Sequence, residues 1–449
     1  MRCHVDAPDA YVPKARYALE SLLNPLMLRP VWVEEGPSVD LYYGRAPRRA
    51  GATLSLLLHD ATLRLFHAPN EEVGQPPAAV SMDARPCPVL FGDEQHPDLI
   101  ASTFYLLSGW QEVATRARDE YGRYRYAGSL QDRLSLAELP LVDVWRESLA
   151  ARLEAGGIRF TRRTWAGHDW ALFPTFDVDY LRRLRPGIVL REMRRPLGLL
   201  RDVLRVDDVY LQGAYRLVRA LEHAGVAGTF FFKGASRSAF DPPYRQTKAT
   251  VRRLIREIRR GGSEIGVHPG YYASSNEILL REDVRAVEEL AGEAIATVRN
   301  HYLRYEHPVT PRLHQRAGFL IDSSLGFSER AGFRRGTCLP FRIFDVGANC
   351  PLETWEMPLA FMDVAVAVRQ RAGVSEAIKL AHRLMQTVRR FRGSLVMLWH
   401  NTLWHDEMKG WPLHLETILQ DAVEGGAYVG PLRRGLEAWS EGPTTLEHR

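Results

Sequence analysis

The stretch Ala171-Leu172-Phe173-Pro174-Thr175-Phe176-Asp177-Val178-Asp179 is a short apolar run that ends in two carboxylates one residue apart. Beyond it, strand-like runs and helical segments alternate through most of the remaining chain. This alternation is typical of a parallel sheet wrapped by helices. About seven such strands fit an irregular (β/α) barrel better than an open sheet, so we predict an α/β fold of that kind.

The elements of this region are predicted from the periodicity of the apolar residues. Strands are predicted at 171–176, 228–232, 264–268, 298–303, 319–322, 355–359 and 395–399. Helices are predicted at 211–223, 245–260, 276–297, 375–391 and 411–424, with a short helix before Gly318.

Residues 1–165 are predicted to form a separate mixed α/β domain of unknown function, and residues 166–440 the barrel. The glycine pair Gly156-Gly157 follows an apolar helix and marks the boundary. The elements predicted in the first domain are strands at 53–58 and 62–66 and helices at 98–108 and 142–153.

The composition is that of an ordinary globular protein. With 45% hydrophobic and 25% charged residues, the chain is not of the disordered, collagen-like or coiled-coil class. No run of about 18 apolar residues occurs, and the first residues lack the basic start and apolar run of a secretory signal, so the cytoplasm is the expected compartment. The 4 cysteines contain no Cys-x-x-Cys pair and are expected to be packing residues.

The net charge of +5 does not indicate a nucleic-acid-binding protein, because 54 acidic residues balance 59 basic ones. One segment, 181–205, concentrates arginines between apolar residues. We interpret it as a solvated excursion. The alternative is a surface for anionic glycans or membrane headgroups.

Polar side chains follow the ends of several predicted strands, and in a parallel barrel these ends form one rim. Taken singly, an Asp-x-Asp is more often a turn and a lone histidine more often a structural residue, but their shared position favours a site. Two histidines and a carboxylate are a common set of ligands for a hydrolytic metal ion. A second carboxylate would then serve as general base and another imidazole as general acid. The residues that supply this set are Asp177, Asp179, His268, His301 and His400.

Between about residues 170 and 430 the chain resembles the polysaccharide deacetylase family, the carbohydrate esterases of the NodB homology type. The opening motif of the family is matched by Thr175-Phe176-Asp177-Val178-Asp179, and its closing motif by Leu398-Trp399-His400-Asn401. The other segments that carry the resemblance are 224–232, 264–268, Arg299-Asn300-His301-Tyr302 and 318–324.

The resemblance implies a role for each matched residue. Asp177 would be the base, braced by Arg299, and His400 the acid. Asp179 and His268 would bind the metal ion, and the Tyr302 amide would help to form the oxyanion site. The ion would be divalent, with Zn²⁺ favoured by the imidazole and carboxylate ligands and Co²⁺ or Ni²⁺ as alternatives.

The chain departs from the family pattern at Tyr272, where the family has a second metal-binding histidine four residues after the first. His301, which stands where the family usually has proline, is the predicted substitute. The alternatives are His307 or a site without metal. Tyr272 would then line the glycan groove.

Four further positions are assigned from the closing part of the sequence. Trp399 and Asn401 are predicted to bind substrate together with Tyr272. Asp363 is interpreted as a surface carboxylate, with tuning of the His400 imidazole as the alternative. His405 is the fallback candidate for the acid.

The leading functional hypothesis is a metal-dependent hydrolase that removes N-acetyl groups from amino sugars of a surface or cell-wall glycan or its precursor. The alternative is a catalytically degenerate barrel that binds a glycan or an assembly partner, and a third hypothesis makes segment 181–205 a membrane-surface module. The segment 104–112, together with 140–143, resembles an uncharacterised domain found upstream of some bacterial deacetylases, which supports two domains but indicates no activity.

Overall fold

A computed structural model of the chain describes residues 1–34, 38–67, 76–115, 117–183, 208–244, 246–403 and 411–440. Most of the arginine-rich segment 181–205 and the fallback acid His405 therefore lie outside the described residues. None of the described helices is both long enough and apolar enough to span a membrane.

The N-terminal unit contains a sheet of four parallel strands in the order β2-β1-β3-β4 and an antiparallel pair, β5-β6. Its strands are β1 (Arg2–Asp6), β2 (Val31–Trp32), β3 (Val39–Gly44), β4 (Ala52–Leu57), β5 (Ala78–Met82) and β6 (Arg85–Val89). Its helices are α1 (Val12–Leu23), α2 (Asp60–His67), α3 (Leu99–Leu107), α4 (Trp110–Ala114), α5 (Leu130–Arg133) and α6 (Leu141–Ala155).

Helix α3 lies at the centre of this unit, since all nine of its residues are buried. The Asp98 carboxylate caps it by accepting a hydrogen bond of 2.9 Å from the Ala101 amide. This confirms the helix that the acidic start predicted. The strand predicted at 62–66 is wrong, because this segment belongs to α2, where Arg64 is exposed between buried pairs in a helical repeat.

The C-terminal unit is built on a second sheet, in the order β12-β13-β11-β10-β9-β8-β7-β15-β14, with β16 paired to the start of β7. The path from β13 to β14 is parallel throughout, and only β12 is antiparallel to its neighbour. The sheet curls into an incomplete barrel, which confirms the predicted fold class.

Most of the predicted C-terminal elements lie within about three residues of the observed bounds. The strands are β7 (Ala171–Val178), β8 (Thr229–Lys233), β9 (Glu264–His268), β10 (Thr297–Val298), β11 (Ile321–Asp322), β12 (Phe341–Asp345), β13 (Cys350–Glu356), β14 (Leu359–Met362), β15 (Ser394–His400) and β16 (Tyr428–Val429). The helices are α7 (Val209–Ala224), α8 (Lys248–Arg260), α9 (Glu277–Ala291), α10 (Val309–Arg316), α11 (Val374–Arg390), α12 (Trp411–Glu424) and α13 (Leu432–Ser440).

Three predicted elements differ most from the structure. The strand expected at 298–303 ends at Val298, because Tyr302 and Leu303 have positive φ angles of 63° and 54° that a strand does not allow. The helix expected at 276–297 ends at Ala291, where Gly292 takes up the left-handed conformation of a helix C-cap. The single strand expected at 355–359 is the junction of β13 and β14.

Buried ion pairs and hydrogen bonds join the two units. The Glu112 carboxylate of the N-terminal unit accepts hydrogen bonds of 2.9 and 2.6 Å from the Arg334 guanidinium, and Arg335 lies 3.4 Å away. Asp143 likewise accepts a 2.8 Å hydrogen bond from the Cys338 amide. Cys3, Cys87 and Cys338 are buried packing residues as expected, but Cys350 is exposed at the start of β13, so that part of the expectation is wrong.

Candidate active site

The predicted site residues lie on one rim of the sheet, at the carboxyl ends of neighbouring parallel strands. Asp177 is the second-to-last residue of β7, and His400 is the last residue of β15. The two residues are register partners on these neighbouring strands. His268 ends β9, two strands away, and His301 follows β10. The order of the strands therefore gathers residues that are far apart in the sequence.

Asp179, His268 and His301 form a cluster whose ligand atoms all lie within 4.8 Å of one another. The Asp179 Oδ1 atom is 3.4 Å from His268 Nε2 and 3.5 Å from His301 Nε2. Ligands about 2.0–2.1 Å from a tetrahedral zinc ion lie about 3.3–3.4 Å apart, so the spacing fits such an ion. Asp179 Oδ1 is buried without a hydrogen-bond partner, as expected of an oxygen that binds a cation.

Both histidines are held so that Nε2 faces the centre of the cluster. His268 Nδ1 lies 2.6 Å from the Arg299 carbonyl oxygen, and His301 Nδ1 lies 2.7 Å from Asp241 Oδ1. Each Nδ1–H can donate to its acceptor, which leaves Nε2 free to bind a metal ion. Burial also lowers the pKa of His301, which favours the neutral form that a metal ligand requires.

The charge of the cluster is balanced by its neighbours. Burial by itself raises the pKa of Asp179, but the imidazoles of His301, His268 and His400 hold it well below its usual range. Burial also raises the pKa of Asp241, but hydrogen bonds from His301 and Ser238 lower it to about 2. Both carboxylates are therefore ionised at neutral pH. Asp179 can bind a cation, and Asp241 can accept a hydrogen bond from His301.

Asp177 is braced by Arg299, as the resemblance implied. The Arg299 Nη1 atom donates to Asp177 Oδ1 over 3.1 Å, and Asp177 Oδ2 lies 3.6 Å from His268 Nε2. Arg299 is fully buried and is itself fixed by hydrogen bonds to Thr175 and Ser323. Asp177 thus lies beside the cluster with its orientation set by a charge-assisted hydrogen bond.

His400 lies on the other side of Asp179, with its Nε2 atom 3.9 Å from Asp179 Oδ2. Its Nδ1 atom is 2.7 Å from Asp363 Oδ1, and its amide donates to Asp363 Oδ2 over 2.6 Å. Burial by itself lowers the pKa of His400, but Asp363 raises it to about 10. Asp363 is fully buried, so the interpretation as a surface carboxylate is wrong and the alternative, tuning of His400, fits.

Other expected site residues lie elsewhere. Trp399 and Asn401 are 1% and 0% exposed, and the Asn401 side-chain amide donates to the Tyr180 and Tyr210 carbonyls. Neither side chain lines the cavity, although both were predicted to bind substrate. Trp399 precedes His400 in β15 and therefore points to the opposite face of the sheet, whereas Asn401 begins the 3₁₀ turn after the strand. Tyr272 is 51% exposed and is not among the described residues that line the cavity below.

His307, the alternative ligand, is not part of the cluster. It is partly buried next to Arg335, near the boundary between the two units, and its ring packs 4.9 Å from that of Tyr305. Burial lowers the pKa of His307 to about 3. Of these two histidines, His301 is therefore the one that joins Asp179 and His268 in the cluster.

A cavity of about 230 Å³ opens above the cluster. It is lined by all three cluster residues, by Asp177 and by His400, so one space adjoins the predicted ligands, base and acid. Tyr302 lines it too, in a left-handed conformation with φ 63°. Two further lining residues, Tyr121 and Arg123, come from the N-terminal unit.

Residues 10–156 match DUF7033, a family of unknown function. The DUF7033 region thus includes Tyr121 and Arg123, and its contribution to the cavity was not predicted from the sequence. No curated protein matches the chain.

Solved structures similar to the chain align with about three fifths of it. A Mycobacterium smegmatis protein assigned provisionally to the polysaccharide deacetylases is 21% identical, with a TM-score of 0.43, over 63% of this chain and 95% of its own. The PuuE allantoinase is 16% identical, with a TM-score of 0.43, over 63% and 94%. A pseudoenzyme of the carbohydrate esterase family 4 from Bacillus anthracis is 13% identical, with a TM-score of 0.35, over 61% and 67%. Identities and TM-scores this low do not establish which reaction the chain catalyses.

Besides the two residues of the DUF7033 region, sequence reasoning missed Asp241. It lies in the loop after β8, between Phe240 and Pro242, and belongs to no motif. It contacts His301, which is 60 residues away in the sequence. No local pattern distinguishes it from an ordinary loop aspartate.

Proposed function

We propose that the chain is a metal-dependent hydrolase that removes N-acetyl groups from amino sugars of a surface or cell-wall glycan or its precursor. The observation that carries the proposal is the placement of a carboxylate held by Arg299 and an imidazole held by Asp363 on two sides of the Asp179, His268 and His301 cluster. Hydrolysis of an amide needs such a base and acid in one cavity. A barrel that only binds needs neither.

The proposed ion is Zn²⁺, held by Asp179, His268 and His301, with Co²⁺ and Ni²⁺ as alternatives. When bound, it would supply a Lewis acid that polarises a carbonyl and makes water more acidic. Asp177 would take the proton from the attacking water, because its carboxylate adjoins the cluster and is oriented by the hydrogen bond from Arg299. Arg299 would keep the base in place but would not touch the substrate.

His400 would protonate the departing sugar nitrogen. Its pKa of about 10 keeps the imidazolium form at neutral pH, and its Nε2 atom faces the cavity because Nδ1 is engaged by Asp363. The Tyr302 amide would stabilise negative charge on the acetyl oxygen, a role that backbone amides near a reacting carbonyl often fill. The N-acetylated glycan as substrate comes from the motif resemblance.

The test joins metal stoichiometry with acetate release from N-acetylglucosamine oligomers. After loading with Zn²⁺, we expect about one ion per chain, as one Asp-His-His site requires, and acetate release that stops in His301→Ala. His96→Ala, a change at a 40% exposed histidine, is the matched control and should behave as the wild type. Tyr272→His should leave the stoichiometry unchanged, because His301 already supplies the third ligand.

The degenerate-barrel alternative predicts the opposite pattern. The wild type would then bind no ion and release no acetate, and Tyr272→His would create metal binding. Metal binding without acetate release from any N-acetylated oligomer would retain the metal site and reject the deacetylase.

A further inference from the structure

We propose that the segment 119–124 of the DUF7033 region completes the substrate cleft of the barrel, with Tyr121 as a sugar-binding residue and Arg123 as a positioning residue for the Tyr302 loop. The sugar-binding half of this proposal rests on the proposed function. The positioning half does not.

The segment reaches across the boundary between the two units. Tyr121 and Arg123 line the same cavity as the Asp179, His268 and His301 cluster. The Arg123 Nη1 atom donates to the Tyr302 carbonyl oxygen over 3.2 Å, and the Tyr271 hydroxyl donates to the Tyr121 carbonyl over 3.0 Å. The DUF7033 region is thus hydrogen-bonded to the loops after β9 and β10.

The segment is a tight turn closed on Asp119. The Asp119 carboxylate accepts hydrogen bonds of 2.9 Å from both the Tyr121 and Arg123 amides, and it pairs with the Arg123 guanidinium at 2.7 Å. The Asp119 and Arg123 side chains are only 6% and 9% exposed. Gly122 completes the turn with a φ of +75°, which residues other than glycine rarely adopt. A loop held in this way is preorganised for binding.

Arg123 acts on the cluster through Tyr302. Tyr302 has a left-handed backbone, a strained conformation that persists only where the surrounding structure holds it. The hydrogen bond from Arg123 holds its carbonyl, and His301, the residue before it, is one of the three cluster residues. Loss of Arg123 would therefore release the backbone next to a metal ligand.

Tyr121 has the geometry of a sugar platform. Its ring is partly exposed, packs 5.0 Å from the Tyr302 ring and has the Arg123 guanidinium 4.8 Å from its centre. A tyrosine ring fixed between neighbours offers an apolar surface and a hydroxyl at its rim, which match the apolar face and the hydroxyls of a sugar ring. The Arg123 charge is neutralised by Asp119, so the wall suits a neutral sugar.

The first experiment measures binding of tetra-N-acetylchitotetraose by calorimetry to the full chain carrying Asp177→Asn, which slows turnover. Adding Tyr121→Ala should weaken this binding about tenfold, whereas Tyr121→Phe should bind nearly as well as the parent, since it keeps the ring. Unchanged binding in Tyr121→Ala would overturn the sugar-binding role.

The second experiment needs no sugar. Cobalt(II) replaces zinc as the probe, and its visible absorption and dissociation constant are measured for the wild type, Arg123→Ala and Arg125→Ala. Arg123→Ala should weaken cobalt binding on the order of tenfold and alter the absorption, as changes behind metal ligands do. Arg125→Ala should have no effect, because Arg125 follows the segment and its side chain is 49% exposed.

The two experiments separate the two proposals. If the parent binds no oligomer, the proposed function fails, and the cobalt result alone decides whether the segment belongs to the site. Unchanged cobalt affinity and absorption in Arg123→Ala would then overturn the inference. Should Arg123→Ala fail to fold, the same cobalt measurement on Arg123→Gln, which keeps a hydrogen-bonding side chain of similar length beside Asp119, decides the positioning role.

Discussion

His301 Nδ1 lies 2.7 Å from Asp241 Oδ1, and this contact holds the third residue of the Asp179, His268 and His301 cluster in a chain that has Tyr272 four residues after His268. The contact orients the His301 ring so that Nε2 lies 3.5 Å from Asp179 Oδ1. A carboxylate behind a ligating histidine fixes its tautomer and raises its basicity. The proposed third ligand therefore lies on the loop after β10, and Asp241 supports it there.

Asp241→Asn should weaken metal binding on the order of 10- to 100-fold, because the amide keeps the shape of the carboxylate but removes the charge behind His301. The measurement is competition with a chelator of known affinity. Asp169→Asn, at a 63% exposed carboxylate, is the matched control and should bind the ion as the wild type does. Equal affinities in the two variants would show that Asp241 does not support the ligand.

Asp177→Asn should lower kcat by on the order of 10² to 10⁴ while about one ion stays bound, because it removes the base and leaves the three ligands. Acetate release and metal content are measured on the same preparation. Asp345→Asn is the control, since Asp345 is also a buried carboxylate paired with an arginine, Arg312, but lies outside the cavity. Full activity of Asp177→Asn would place the base elsewhere.

His400→Ala should reduce kcat by on the order of 10² to 10⁴, the effect of losing a positioned acid, with little change in metal affinity. The loss should be smallest for substrates whose leaving group needs no proton, such as an activated aryl ester. His382→Ala, at a surface histidine paired with Asp421, is the control. An equal loss for both kinds of substrate would argue against proton donation by His400.

Asp363→Asn should shift the alkaline limb of the kcat–pH profile to lower pH. Burial lowers the pKa of His400 and the Asp363 charge raises it to about 10, so the acid form is present at neutral pH and is lost as the pH rises through that value. Removing the charge leaves burial to act alone, so the imidazolium is lost at lower pH. Asp421→Asn serves as the control. If the alkaline limb does not move in Asp363→Asn, it reflects the titration of a group other than His400.

Glu112→Gln should destabilise the protein by about 3–5 kcal/mol, because it leaves the buried guanidinium of Arg334 without its charge partner. The free energy of unfolding is measured by urea denaturation, with Glu138→Gln, in a partly exposed pair with Arg383, as control. A loss no larger than that of the control would contradict this prediction.

The same pair predicts a pH dependence of stability. Burial raises the pKa of Glu112, but Arg334 and Arg335 lower it from 4.5 to about 2. A carboxylate with a depressed folded-state pKa contributes stability above its unfolded value, and this contribution is lost as the pH falls from about 4.5 through about 2. Glu112→Gln should lose this part of the pH dependence. An unaltered slope would assign the acid sensitivity to other carboxylates.

The parts of the fold that could be predicted are those with a local signal. The helix at 411–424 and the strand that ends in His268 agree with the structure residue by residue, because apolar periodicity and strand length are properties of adjacent residues. The prediction of a strand at 62–66 is wrong because five residues are too few to distinguish the two-residue apolar period of a strand from the 3.6-residue period of a helix. In the folded protein, its packing as part of α2 decides the matter.

The sequence by itself determined that Asp177, Asp179, His268 and His400 would share one rim, because residues that end parallel strands lie at the same edge of the sheet. Only the tertiary structure decided that His301 and not His307 joins them, that Asp363 is buried behind His400, and that Asp241 supports His301. It also decided that Tyr121 and Arg123 of the DUF7033 region reach the cavity. These contacts join loops far apart in the chain, and their geometry depends on how whole units pack, which no local periodicity encodes.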